Sequence, residues 1–162
     1  MFAHNDRRRL LDKLLREVTR CESQAREHAP REARRIGETP PVAALREVAL
    51  HAVMMGPRLT SVLEGHDVPV GAPPTALSAL RQLVADRMYD AERAYRAALL
   101  DLRHGVDVVR VLREVVRLEE LFGLIRWCDD WLPARRTLVA RVEAQLAWFG
   151  EQPIADPCEP TP

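Results

Sequence analysis

Apolar residues recur along this chain at intervals of three or four, and no run alternates with a period of two. That pattern predicts helices and no sheet. The longest uninterrupted stripe lies in 74–104, at Leu77, Leu80, Val84, Met88, Ala91, Tyr95, Ala98 and Leu102. A helix of that length is over 40 Å long at about 1.5 Å per residue, so it buries its stripe only against partners of similar length. Residues 6–29 offer one partner through Leu11, Leu14, Val18, Cys21, Ala25 and His28. Pro30 marks its expected end, and 29–41 reads as a connection with one helical turn in REARR.

Thr39-Pro40-Pro41 opens a second helix running to about Glu64, with its stripe at Leu45, Val48, Ala52, Met55, Leu59 and Val62. The stripe keeps its phase across Pro57, which predicts a kink and not a break. The glycines and prolines of 65–74 form a loop, short enough to make the second and third helices antiparallel neighbours. His104-Gly105 closes the third helix, and 107–117 reads as a short helix capped by Asp107. A last helix then spans 118–149, or else starts after Asp129-Asp130 with Asp130 as its cap. Its stripe is Leu118, Phe122, Ile125, Leu132, Leu138, Val142, Leu146 and Phe149. The expected architecture is an all-α, up-and-down four-helix bundle with one extra short helix. It forms a single domain over 1–150, followed by an irregular, proline-rich tail at 151–162.

Composition narrows the function classes. Basic and acidic residues balance at 24 each, which argues against nucleic acid and anionic membrane as partners. All the basic residues but Lys13 are arginine, as a GC-rich genome would produce. Cys21, Cys128 and Cys158 make no C-x-x-C pair and no disulfide framework, so reduced thiols in the cytoplasm fit best. The N-terminal apolar run is broken by Asp12, Lys13, Arg16 and Glu17, unlike a signal peptide, and no eighteen-residue apolar span occurs.

A four-helix bundle raises the question of a di-iron carboxylate site, which requires Glu-x-x-His pairs on facing helices. No such pair occurs in this sequence. The weak metal candidates are His51 with Glu47 one turn before it and Glu92 of the third helix. Counting from the loop puts His51 level with Met88, Ala91 and Glu92. The competing structural reading makes His51 a core-edge histidine bonded to a carboxylate or to Tyr95. Glu119 and Asp129 fall in phase with the last stripe, and Arg87 offers a buried bridge for them. No G-x-S-x-G, Cys–His pair or phosphate-binding glycine loop points to catalysis, and no cofactor is called for.

At YDAERAYRAALL (89–100) the chain is similar to ferritin-like four-helix-bundle proteins of the DUF2383 type. There an acidic residue precedes an Ala-rich Tyr-Arg-x-Ala-Leu segment. The order of long helices, with a short one before the last, is similar over about two-thirds of the chain. The resemblance implies the fold; the ligand motifs of ferritin-like metal sites have no counterpart here. The function expected is therefore non-catalytic, through a protein partner or a homo-oligomer, with a non-standard metal or oxidoreductase site as the alternative. Trp127, Trp131 and Trp148 exceed what one narrow stripe buries. They are either contact anchors or core residues covered by the first helix.

Overall fold

The computed structural model describes residues 2–65 and 90–152. These form α1 (Phe2–Ile36), α2 (Pro40–Gly65), α3 (Ala91–Leu118), α4 (Phe122–Ala144) and the short α5 (Leu146–Glu151), with no strand among the described residues. α1 packs on α2 and α3, and α4 packs on the same two. The four long helices therefore stand at the corners of a square, with α1 diagonal to α4 and α2 diagonal to α3.

Cross-helix contacts fix the directions. Arg7 meets Glu119, Glu17 meets His104 and His28 meets Asp101, so α1 and α3 run antiparallel. Glu47 meets Arg141 and Arg58 meets Asp130, so α2 and α4 do too. With α1 taken as up, chain order is up, down, down, up. Every neighbouring pair is antiparallel, as a bundle requires, but α2 and α3 are parallel and face each other across the diagonal. This corrects the expectation that these two helices are antiparallel neighbours; the end of α2 and the start of α3 lie at opposite ends of the bundle.

Several boundaries differ from the sequence reading for definable reasons. α1 continues through Pro30 to Ile36 because Ala29 and Glu32, on either side of the proline, are both buried. That burial outweighs the one hydrogen bond a mid-helix proline removes. α1 stops at Gly37, whose φ of +67° is left-handed and whose N–H bonds Ala33 O at 2.9 Å. α2 starts at Pro40 as expected and continues through Pro57.

The expected uninterrupted helix over 74–104 does not exist at Asp90. Asp90 has extended backbone angles (φ −61°, ψ 161°), and its side chain accepts the Arg93 N–H at 2.7 Å, capping α3. Residues 74–89 of that expected helix, with Arg87 and Met88, lie outside the described residues. At its other end α3 runs straight through His104-Gly105, absorbing the expected separate helix at 107–117. Leu102, Val108 and Val109 are all buried, and their packing offsets the roughly 1 kcal/mol that an internal glycine costs a helix. The break falls instead at 119–121, where Glu120 takes a φ of +55°. α4 passes through Asp129-Asp130 and Pro133 without a cap there, and the short helix among the described residues is α5, after the long ones.

The start of α4 departs from the expected face, while Leu132, Val142 and Phe149 of the expected stripe are buried and Ile125, Leu138 and Leu146 pack against the core. Leu118 and Phe122 are 65% and 71% exposed, whereas Leu124, Trp127, Cys128, Trp131, Leu132, Arg135, Val139 and Val142 are buried. The two indoles drive this difference, since burying them removes more apolar surface than burying Phe122. Trp127 donates to Met55 O at 3.1 Å and stacks on Trp131 with centroids 5.9 Å apart. Both are therefore core residues, and neither lies where a partner would touch it. Trp148 is half-buried, edge-on to Phe149. Trp131→Ala is accordingly expected to lower unfolding stability by roughly 3–5 kcal/mol, measured by chemical denaturation. A loss below about 1 kcal/mol would contradict this packing.

Candidate functional site

The core consists of two apolar clusters. One contains Leu11, Leu14, Val18, Leu59, Leu112, Trp127 and Trp131; the other contains Ala25, Leu45, Val48, Tyr95, Leu99, Val142 and Phe149. The boundary between them falls at one level on all four long helices: at Glu22 in α1, His51 in α2, Gly105 in α3 and Arg135 in α4.

At this level the interior is polar. Glu22 and Arg135 are 2% and 1% exposed, and the Glu22 carboxylate oxygens lie 2.9 and 3.1 Å from Arg135 Nη2, across the bundle diagonal. Arg135 Nε donates to His51 Nδ1 at 3.1 Å, which places the imidazole proton on Nε2. The guanidinium carbon sits 4.5 Å from the Trp131 ring centroid, a cation–π contact inside the protein. On α3 the level is occupied by a glycine. A Cβ on Gly105 would lie 3.4 Å from Cys21 Cβ, in ordinary van der Waals contact, so α1 and α3 pack against each other beside the ion pair.

The electrostatics follow from burial. Desolvation raises the Glu22 pKa, offset in part by Arg135, by Trp131 and by Arg26 one turn along. Desolvation lowers the Arg135 pKa, and Glu22 opposes that shift. His51 is pushed down to about 4 by burial and by Arg135; it is neutral at pH 7 and accepts the arginine's hydrogen bond. At pH 7 the layer therefore holds a charged arginine paired with a carboxylate and a neutral imidazole. It holds helices together.

The sequence-based candidates are not brought together. Glu47 is half-exposed and bonds Arg141 at 2.7 Å, Glu92 bonds Arg96 at 3.0 Å on the surface of α3, and His51 faces inward to Arg135. His51 is level with Gly105 and not with Glu92, because α3 is capped at Asp90 and lies diagonal to α2. The partner of His51 is thus an arginine. Tyr95 instead donates to Val142 O at 2.9 Å. Among the described residues no three His, Cys, Asp or Glu side chains stand close enough to hold a metal ion. Asp129 points outward to Arg113, and Glu119 meets Arg7 at 3.4 Å.

Glu22 and Arg135, the centre of the layer, were not singled out by the sequence reading. Both sit in phase with buried stripes, Glu22 between Val18 and Ala25, Arg135 between Trp131 and Val139. A charged residue at such a position is the signal. Two further polar groups are buried nearby on α1. His28 is 4% exposed, 3.7 Å from Asp101, and burial pushes its pKa down to about 4. Glu32 is 1% exposed and bonds Arg35 at 2.6 Å.

A pH dependence follows with a definite sign. A histidine depressed in the folded state contributes stability above its unfolded pKa, near 6.5, and loses it as pH falls toward the folded value. For His51 and His28 that window runs from about 6.5 to about 4. Glu22, raised by burial, acts in the opposite sense, its contribution declining as pH rises. The wild-type protein should therefore lose stability between pH 6.5 and 4, and His51→Gln should remove on the order of 2 kcal/mol of that loss. Equal slopes for the two proteins in urea titrations across this range would refute the assignment. Compared with known protein families, curated proteins and solved structures, the chain has no match.

Proposed function

We propose that this chain is a non-catalytic helical bundle that acts by association with another protein surface, its own included. One observation carries the reading. Leu50, Val53 and Met54 of α2 are 61%, 53% and 65% exposed. Spaced by three and four residues on one helix, they form one contiguous apolar patch, whereas Leu100 and Val111 of α3 stand well apart and Leu118 and Phe122 flank the turn between α3 and α4. Scattered exposed aliphatics need no explanation, but a clustered patch rimmed by charges is the usual mark of a contact surface.

The buried layer supports the same reading, because Glu22, Arg135 and His51 are engaged with one another. The up, down, down, up order, with one connection between parallel helices, supports ferritin-like descent as the finer statement of the fold. Among the described residues no helix is long and apolar enough to cross a membrane. The buried free thiols of Cys21 and Cys128 support a reducing, cytoplasmic setting.

In extract of the source cell, the wild-type chain should sediment as a larger species than the double variant Leu50→Asp, Met54→Asp, which should run as the free bundle. Both substitutions replace exposed side chains and should leave folding stability within about 0.5 kcal/mol. Identical sedimentation of the two proteins would contradict the proposed role of the α2 patch.

A further inference from the structure

We infer that the outward face of α1 binds the phosphate backbone of duplex DNA without reading its sequence. Arg9, Lys13, Arg16, Arg20, Arg31 and Arg34 follow one another at intervals of four, three, four, eleven and three residues, which keeps them on one side of an unbroken helix. α1 packs on α2 and α3 with its other side, and these residues are exposed except for the half-buried Arg31. Ser23 and Glu27 complete the line, so six cations share it with a single carboxylate. The balance of 24 basic and 24 acidic residues is a sum over the whole chain and hides this segregation.

The excess is not cancelled locally. Arg9, Lys13, Arg16 and Arg34 make no ion pair with a described residue, and Asp6 and Asp12 flank the line without pairing to a described cation. Arg20 reaches Glu17 at 3.5 Å, but His104 holds the same carboxylate at 2.8 Å. On the other helices the pattern is the reverse: Arg46, Arg58, Arg96, Arg113 and Arg117 are each matched to a carboxylate.

The chemistry of the face selects its partner. Between Arg9 and Arg34 the line carries no aliphatic or aromatic side chain. It therefore lacks the apolar anchors on which protein contacts depend and the apolar surface that a helix lays into a bilayer. What remains is charge alone, which is how proteins hold nucleic acid without sequence preference. Arginine suits phosphate in particular, because its fork bonds two oxygens of one phosphate. From Arg9 to Arg34 the line is about 37 Å long, which matches one duplex turn of about 34 Å. A duplex carries one phosphate per about 1.7 Å of axis, so a rod of cations laid along it meets phosphates over its whole length. A row of like charges offers no pattern of donors and acceptors for base edges, and the contact is independent of sequence. This surface is separate from the α2 patch.

The test is fluorescence anisotropy of a labelled DNA duplex several turns long, titrated with the purified full-length chain over a salt series. Binding is expected, with log Kd rising linearly with log salt. Four phosphate contacts give a slope of about 3.6, a roughly 150-fold loss of affinity between about 50 and about 200 mM salt. The double variant Lys13→Gln, Arg16→Gln should lower the slope by about 2 and weaken binding by about tenfold or more at the low-salt end. Arg126→Gln, Arg136→Gln removes the same charge from exposed positions on α4 and should change neither quantity. A duplex of unrelated sequence should bind equally. Circular dichroism confirms that the variants fold. Absence of binding at the low-salt end overturns the inference. Equal losses in the two double variants also overturn it, because net charge and not the α1 face would then hold the DNA. So does a strong preference for one duplex sequence, or tighter binding to polyglutamate or to phosphatidylserine vesicles than to duplex.

Discussion

Arg135 is a guanidinium placed among tryptophan, leucine and valine with 1% of its surface exposed, and everything at the middle of the bundle is arranged to keep it there. A charge taken out of water is tolerable only when paired and hydrogen-bonded. Glu22 supplies the countercharge from the diagonal helix, His51 accepts from Nε, and the Trp131 ring lies against the guanidinium carbon. These contacts tie α4 to α1 and to α2. An apolar core of leucine and valine tolerates small axial slides of one helix past another, but a one-turn slip here would strand a carboxylate and a guanidinium in separate apolar clusters. The penalty for that slip is several kcal/mol per ion. The layer thus fixes the axial alignment of α1, α2 and α4, with α3 packed against α1 where Gly105 faces Cys21.

The same arrangement shapes the functional reading. Buried carboxylate, arginine and histidine in a helical bundle invite a catalytic or metal-binding interpretation, yet geometry directs each toward the others. His51 presents Nδ1 to an arginine, and the remaining carboxylates that the sequence suggested as ligands stand on outer faces, bonded to surface arginines. On the outside, Leu50, Val53 and Met54 leave an apolar patch exposed on α2.

The helical class was legible from periodicity alone, and so were the bundle, the start of α2 and its passage through Pro57. Boundaries that depend on a balance of small terms were not. Asp90 is a good capping residue, but the apolar stripe keeps its phase across it, so periodicity concealed the cap. At Pro30 and Gly105 the local signal says stop, while the buried residues beyond each are what carry the helix onward. The inward face of α4 was only partly legible for a related reason: Leu132 and Val142 were placed correctly, but the buried stripe also contains Arg135, and scoring arginine as polar hid that Trp131 and Val139 continue it. The polar layer was hidden by the same rule, since its sign in the sequence is a charged residue in phase with a buried stripe, and the residues that make it tolerable come from three different helices.

The claim that Glu22 and Arg135 act as one buried unit is tested most directly by a double-mutant cycle on unfolding free energy, using Glu22→Leu, Arg135→Met and the two combined. Each single substitution leaves a lone buried charge and should cost roughly 3–5 kcal/mol. The combined variant, with no charge left to strand, should be more stable than either single one. Losses that simply add would contradict the account, because they would mean that each side chain contributes through its own packing and not through the other.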